Sequence, residues 1–272
     1  HREILAAEGA SDLIREEGQM YLYRNEEQLA KDNASLALRQ KHGLKVQKLV
    51  GPALRELEPE VSEDYQIGLY LPDHGSCVNP ARLAAVVANG VRRMGGEIRT
   101  AEVQAILTEG KRVVGVRCAG EDIPADQVVL AAGAWSARLL APLGLKVPLE
   151  TQRGYHVMLP DAGVRVGRVL SPADRKVFIS PMEDGLRVAG SVEIAGLDAP
   201  PTEARAMLLL DDLKKVFPRA RTEGGKIWMG HRPCLPDSVP VMGPVSAWQG
   251  LYCAFGHGHL GLTGSLAFRP NK

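Results

Sequence analysis

No long apolar run occurs in this chain of 272 residues. Val128-Val129-Leu130-Ala131-Ala132 is among its most apolar stretches, far short of the roughly 20 residues that a membrane-crossing helix requires. No integral membrane segment is therefore expected. An excess of either charge is also missing: the formal net charge is +1 with the histidines neutral, which leaves no electrostatic footprint for nucleic acid or an anionic membrane. The four cysteines, Cys77, Cys118, Cys234 and Cys253, lie far apart and form no CxxC pair. That spacing argues against a disulfide framework and against a zinc site. They read as small buried hydrophobes of a reducing compartment. No secretory leader is expected either, since His1-Arg2-Glu3 leads into an acidic, helix-like segment, and the expected location is cytoplasmic. Internal repeats and low-complexity linkers are likewise missing. What is present is an ordinary globular balance, 45% apolar and 24% charged, with length enough for one large domain or two packed ones.

The apolar pattern switches between helical and strand periods along the chain. Ile4 to Gly18 suits a capped amphipathic helix, Gln19 to Tyr23 a short strand, and Asn25 to about His42 a further helix. Gly68 to Leu71 is strand-like, and Pro72-Asp73-His74-Gly75 is a turn. Asn79 stands as an N-cap with Pro80 at the first helical position, and Gly95-Gly96 closes that helix. A strand from Glu97 to Ala101 is expected next, followed by a hairpin pairing Val103 to Leu107 with Arg112 to Ala119. Gln127 to Ala132 reads as a strand buried on both faces, running into Gly133-Ala134-Trp135-Ser136 and a short helix. Strands dominate from Gln152 to Ile194; a helix from Thr202 to Phe217 follows, then strands at Ile227, Val239 and Leu251. The expected architecture is α+β (mixed α/β): part of an α/β layer with an antiparallel sheet inserted into it.

Gly256-His257-Gly258-His259-Leu260-Gly261 fits GxGxxG letter for letter and follows a strand. A dinucleotide fingerprint needs a helix, a second strand and a ribose-binding acid behind it, and the stretch from Gly261 to Lys272 has no room for them. A turn of this kind can instead present bare N–H groups to an anion and let a flat ring approach the backbone. A tight connection with no ligand is the plainer alternative.

Six segments, in order, resemble the D-amino-acid oxidase superfamily of FAD-dependent oxidoreductases, nearest to its D-amino-acid dehydrogenase and glycine oxidase branch. They are Gly75-Ser76-Cys77-Val78-Asn79-Pro80; Val128 to Ser136 (VVLAAGAWS); Gln152 to His156 (QRGYH); Ser180 to Arg187 with Gly190 to Glu193; Arg232 to Gly243 (RPCLPDSVPVMG); and Leu251 to Thr263 (LYCAFGHGHLGLT). The resemblance implies FAD as cofactor and an amino acid or related amine as substrate. It places Ala131, Ala132, Gly133 and Trp135 along the ribityl-diphosphate side of FAD, and Val103 at the adenine through its backbone. Gly258, Gly261, Leu262 and Thr263 are placed at the pyrimidine edge of the flavin. Arg232 matches the arginine that pairs with the substrate carboxylate, a role suited to a guanidinium fork, although a structural salt bridge is the ordinary use of an arginine. Tyr155 and His156 are further candidates for the substrate side, with core or rim packing the alternative for Tyr155, and His259 is placed near a flavin edge as a candidate catalytic residue. His257, His259 and His231 could be imagined as metal ligands, but an H-x-H pair without a carboxylate motif is not expected to bind metal. The implied reaction is hydride transfer from substrate Cα–H to flavin N5, giving an imine that hydrolyses to a keto acid and ammonia, with oxygen or a quinone as final acceptor.

The family pattern opens with a strand, a true GxGxxG turn, a helix and an acidic residue, and these are expected to be missing here; a helix after Thr263 is expected to break at Pro270. The expected organisation is a helical segment of the substrate domain over 1–67, a partial FAD-binding domain over 68–150, an antiparallel-sheet substrate domain over 151–238, and a return to the FAD-binding layer over 239–272. Three readings stay open: a truncated piece of an active enzyme, one half of a split enzyme completed by a separate chain, or a cofactor-free module that binds small carboxylates.

Overall fold

The computed structural model describes residues 1–265, so the expected break at Pro270 lies outside the described residues. The helices are α1 (Arg2–Ala7), α2 (Glu26–Ala30), α3 (Asn33–Lys41), α4 (Pro52–Leu57), α5 (Pro80–Arg93), α6 (Ser136–Leu140), α7 (Glu203–Val216) and α8 (Gly261–Gly264). The first strands are β1 (Ile14–Arg15), β2 (Gln19–Tyr23), β3 (Gln47–Val50), β4 (Ile67–Leu71) and β5 (Ser76–Cys77). Then come β6 (Val103–Glu109), β7 (Arg112–Cys118), β8 (Glu121–Pro124) and β9 (Val128–Leu130). The later strands are β10 (Glu150–Leu159), β11 (Val169–Pro172), β12 (Phe178–Met182), β13 (Gly185–Ile194), β14 (Lys226–Cys234), β15 (Val241–Pro244) and β16 (Leu251–Phe255). The class is the mixed α/β one expected. An eight-stranded sheet runs in the order β14-β10-β13-β12-β11-β2-β4-β3, antiparallel at β11–β12, β12–β13, β2–β4 and β3–β4 but parallel where β11 meets β2.

Two compact units share the chain. The first comprises His1–Gly90, Tyr155–Ser191 and Pro201–Met229; the second comprises Val91–Gly154, Val192–Pro200 and Gly230–Lys272, the last described as far as Ser265. The chain passes from one to the other within α5, β10, β13 and β14 and between Pro200 and Pro201.

In the first unit, α7 turns Ala206, Leu209, Leu210, Leu213 and Val216 inward, a helical stripe. They join Tyr155, Val157 and Leu159 of β10, Ile179 of β12 and Leu186 and Val188 of β13 in one core. Side chains of a strand alternate between faces, so this core sends His156 and Arg187 to the opposite face. The Asn79 side chain accepts the Arg82 N–H at 2.9 Å, which caps α5 as its sequence predicts. In the second unit, β6, β7 and β8 form an antiparallel sheet, and β16 pairs antiparallel with β15 and parallel with β9. Its core gathers Ile106, Val113, Leu130, Leu140, Trp248, Leu251 and Phe255.

Several expectations are corrected. The helix expected from Ile4 to Gly18 stops at Ala7, because Gly9 takes a positive φ of 67°; a 3-10 turn at Ser11–Leu13 and β1 follow. The helix expected from Asn25 to His42 is two helices, parted near Asp32, which accepts the Tyr23 hydroxyl at 2.9 Å. No strand forms over 97–101: these residues are exposed and have no ladder beside them among the described residues. The strand at Gln127 to Ala132 is not buried on both faces. It is β9, an edge of its sheet, with Leu130 buried and Val129 63% exposed. β11 was not anticipated: besides its neighbour β12, its ladder partner among the described residues is β2, far away in sequence.

The Glu58 carboxylate is buried and meets Arg168 at 2.8 Å and the Gly167 N–H at 3.2 Å. Burial pushes its pKa up, and these two partners hold it down. Arg168→Met leaves a buried carboxylate unpaired and should cost about 3–5 kcal/mol in urea unfolding at neutral pH. Adding Glu58→Gln should recover much of that loss. Equal stability of Arg168→Met and the parent protein would refute this account of the core.

Candidate functional site

The second unit builds its site on Arg153 and Gly154 of the QRGYH segment. Arg153 is completely buried; its guanidinium meets Glu193 at 2.8 Å and donates to the carbonyls of Ala199 at 2.7 Å and Pro200 at 2.6 Å. Gly154 follows and faces the other way. A Cβ built on Gly154 would overlap the Arg232 guanidinium, so the arginine lies flat against β10 only because this residue is glycine. Burial lowers the Arg232 pKa, with the Cys234 thiol opposing, yet a guanidinium remains charged at any physiological pH.

The glycine turn packs beside it. The Gly258 N–H donates to Pro233 O at 2.9 Å, next in sequence to Arg232. Gly256 and Gly258 take φ values of 87° and 53°, and a side chain at 256 would run into Leu235. The turn carries His259, which is exposed and whose pKa burial and then Arg232 lower. Gly261, Leu262 and Thr263 lie in α8, with Leu262 40% exposed.

A second cluster in the same unit lies at the end of β9. Ala131 is exposed, Ala132 is half-buried and precedes a 3-10 turn from Gly133 to Trp135, and Gly133 has a φ of 53° with open space where a Cβ would project. Trp135 is 47% exposed and meets the His231 ring edge-on, with centroids 5.1 Å apart. His231 bonds Thr151 Oγ1 through Nδ1 at 2.8 Å, and burial followed by Arg153 lowers its pKa. Val103 opens β6 and is 38% exposed. Among the described residues no group of three or more His, Cys, Asp or Glu could hold a metal ion, and no helix is long and apolar enough to cross a membrane.

In the first unit Tyr155 is buried in the core, and its hydroxyl accepts the Thr202 N–H at 2.9 Å. That placement serves α7 rather than a surface open to a small molecule. His156, on the opposite face, stacks on Trp228 at 4.9 Å and 22°. Burial, then Arg187, pushes its pKa down to about 4. Sequence reading passed over the buried Arg153–Glu193 pair and gave Gly154 no role, although a strand glycine beside long cations marks a close approach.

A family model described as FAD dependent oxidoreductase (DAO) matches residues 1–268. The chain belongs to the DAO family of FAD-dependent oxidoreductases. Among DAO-family relatives, it is 36% identical over 271 residues to a D-amino-acid oxidase of Bradyrhizobium diazoefficiens, covering 97% of this chain and 64% of that protein. It is 30% identical over 258 residues to a D-amino acid dehydrogenase of Vibrio cholerae, covering 92% and 60%. The chain thus spans less than two thirds of the length of these relatives. Among solved structures, glycine oxidase from Geobacillus kaustophilus superposes with a TM-score of 0.83 at 26% identity, over 98% of this chain and 73% of that one. L-proline dehydrogenase from P. horikoshii shares the fold at a TM-score of 0.81 and 19% identity, over 96% and 71%.

His156 also makes a pH dependence measurable. Its folded pKa of about 4 lies below the ordinary 6.5, so the unfolded chain takes up this proton first as pH falls. The stability it contributes is full above about pH 6.5 and drains away toward pH 4. Replacing it by Phe keeps the stack on Trp228, so the acid-side fall in melting temperature should become shallower in His156→Phe. An unchanged slope would show that His156 does not titrate in this window.

Proposed function

We propose that this chain supplies the substrate-holding and flavin-facing residues of an FAD-dependent oxidoreductase acting on the CH–NH group of amino acids or related amines. The observation that carries this reading is the seat of Arg232, a permanent cation in space that only glycine at 154 leaves open. A guanidinium so placed offers a carboxylate two parallel N–H donors. The names of the D-amino-acid oxidase and dehydrogenase relatives point to the same substrate class.

The exposed residues of the second unit fit FAD. Gly133 leaves its backbone open, Trp135 presents a half-exposed ring, and Leu260 and Leu262 flank the glycine turn at 66% and 40% exposure. Bare amides and apolar surface are what a flat ring and its diphosphate chain require. On this reading Val103 meets the adenine, Ala131, Ala132, Gly133 and Trp135 follow the ribityl-diphosphate, and Gly258, Gly261, Leu262 and Thr263 line the pyrimidine edge. Bound FAD supplies the oxidant that accepts the substrate Cα–H as hydride at N5. Arg232 orients the substrate by its carboxylate, which removes most of the rotational freedom opposing reaction. His259, whose charged form burial and Arg232 both disfavour, adds a hydrogen-bonding group without a competing charge. A substrate amine that arrives neutral needs no base from the protein, and the imine product hydrolyses to a keto acid and ammonia. A second reading, in which a separate chain completes the cofactor site, draws on the position of β9 at the edge of its sheet among the described residues and on exposed Val129.

The purified protein should be yellow, or take up added FAD with a flavin absorbance spectrum, and should oxidise D-amino acids or related amines. Arg232→Ala should still take up FAD while raising KM about 10–100-fold, the loss of a charged hydrogen-bond pair. Gly154→Ala should do the same by displacing the guanidinium. A colourless protein that takes up no FAD yet binds amino or keto acids would leave only the carboxylate-binding module. Co-purification of a chain carrying GxGxxG would favour the second reading.

A further inference from the structure

His231 joins two elements of the second unit. Its Nδ1 lies 2.8 Å from the Oγ1 of Thr151, which is buried in β10. Its ring meets the Trp135 ring edge-on, with 5.1 Å between centroids and 70° between planes. Thr151 and Arg153 stand two residues apart on β10 and so share one face, while Gly154 opens the other. The neighbouring strand β14 repeats that division: His231 turns toward Thr151, and Arg232 lies against Gly154. One strand thus presents the Arg232 guanidinium on one face and, one residue earlier, a ring for Trp135 on the other.

Trp135 needs such a support. Ala134 and Ser136 on either side of it are buried, so the 133–135 turn sends the indole outward, where it is 47% exposed. His231 is its one ring contact among the described residues. A half-exposed indole without a neighbour exchanges between rotamers, and fixing it at the moment a ligand binds costs affinity. An edge-on contact is a favourable arrangement of two rings, and the bond to Thr151 keeps the imidazole from turning away. Burial and then Arg153 lower the His231 pKa, while Asp198, itself paired with Arg138, opposes them. The support is therefore a neutral ring at physiological pH. Arg153 cannot withdraw from it, because Glu193 and the carbonyls of Ala199 and Pro200 hold its guanidinium in place.

We propose that His231 is a positioning residue that holds the Trp135 indole in the orientation that meets the cofactor, anchored for this purpose to Thr151. The inference rests on the reading that the 133–135 turn faces FAD. His231 acts through Trp135 and not by touching the cofactor. It settles the indole before FAD arrives, so the ordering cost falls on folding rather than on binding.

Fluorescence and absorbance titrations of the full chain test this role. Trp228 and Trp248 also emit, so the Trp135 signal is the difference between the parent protein and Trp135→Phe. In the FAD-free protein, acrylamide should quench Trp135 more strongly in His231→Leu than in the parent. FAD uptake, followed by flavin absorbance, should weaken about three- to tenfold in His231→Leu. His231→Phe, which keeps a ring edge against the indole, should restore most of both. If His231→Leu does not fold, Thr151→Val, which frees the imidazole, carries the same two expectations in smaller measure. Unchanged quenching of Trp135 would overturn the proposal, as would a lower melting temperature with FAD affinity intact. In that second case the oxidoreductase reading survives alone. A parent protein that takes up no FAD would remove that reading and the cofactor role of His231 with it.

Discussion

The buried guanidinium of Arg153 sets the terms for everything around it. It is tied at once to Glu193 and to the carbonyls of Ala199 and Pro200, gathering the far end of β13 and the segment before α7 onto β10. A buried charge tolerates this position only while all these partners are present. Once Arg153 is committed inward, alternation along the strand decides the rest. Gly154 faces outward and yields its space to Arg232, Tyr155 turns into the core, and His156 faces outward again. A slip of one residue would exchange the two faces entirely, so the ion pair fixes the register that makes the outward face useful.

Burial disfavours the protonated form of His156 in the first unit and of His231 and His259 in the second. The permanent charge is therefore concentrated on guanidinium groups, which bind carboxylates by shape as well as by charge. Ordinary acids are used elsewhere, to neutralise the structural arginines Arg24, Arg168 and Arg175.

Much of this was legible in the sequence where the determinant is local. The Asn79 cap with Pro80, the stripe of α7 and the glycine turn at 256–261 follow from short-range rules, and the order of six motifs carried the family. What escaped reading depends on partners far along the chain. β11 lies between its neighbour β12 and β2, which is some 150 residues away in sequence and offers it a parallel ladder. The Arg153–Glu193 pair joins residues whose proximity only the folded sheet creates. Val128 to Ala132 is apolar enough for burial on both faces, but whether a second neighbour covers β9 is a matter of topology, which periodicity does not encode.

The Tyr155 hydroxyl accepts the Thr202 N–H at the start of α7, where the Thr202 side chain itself makes no capping bond. A helix normally secures its first amides from its own sequence; here the sheet does so through the phenol of a core residue. The first turn of α7 and the middle of β10 therefore belong to one cooperative unit. Their amides should share protection in native-state hydrogen exchange and open together rather than by fraying from the helix end.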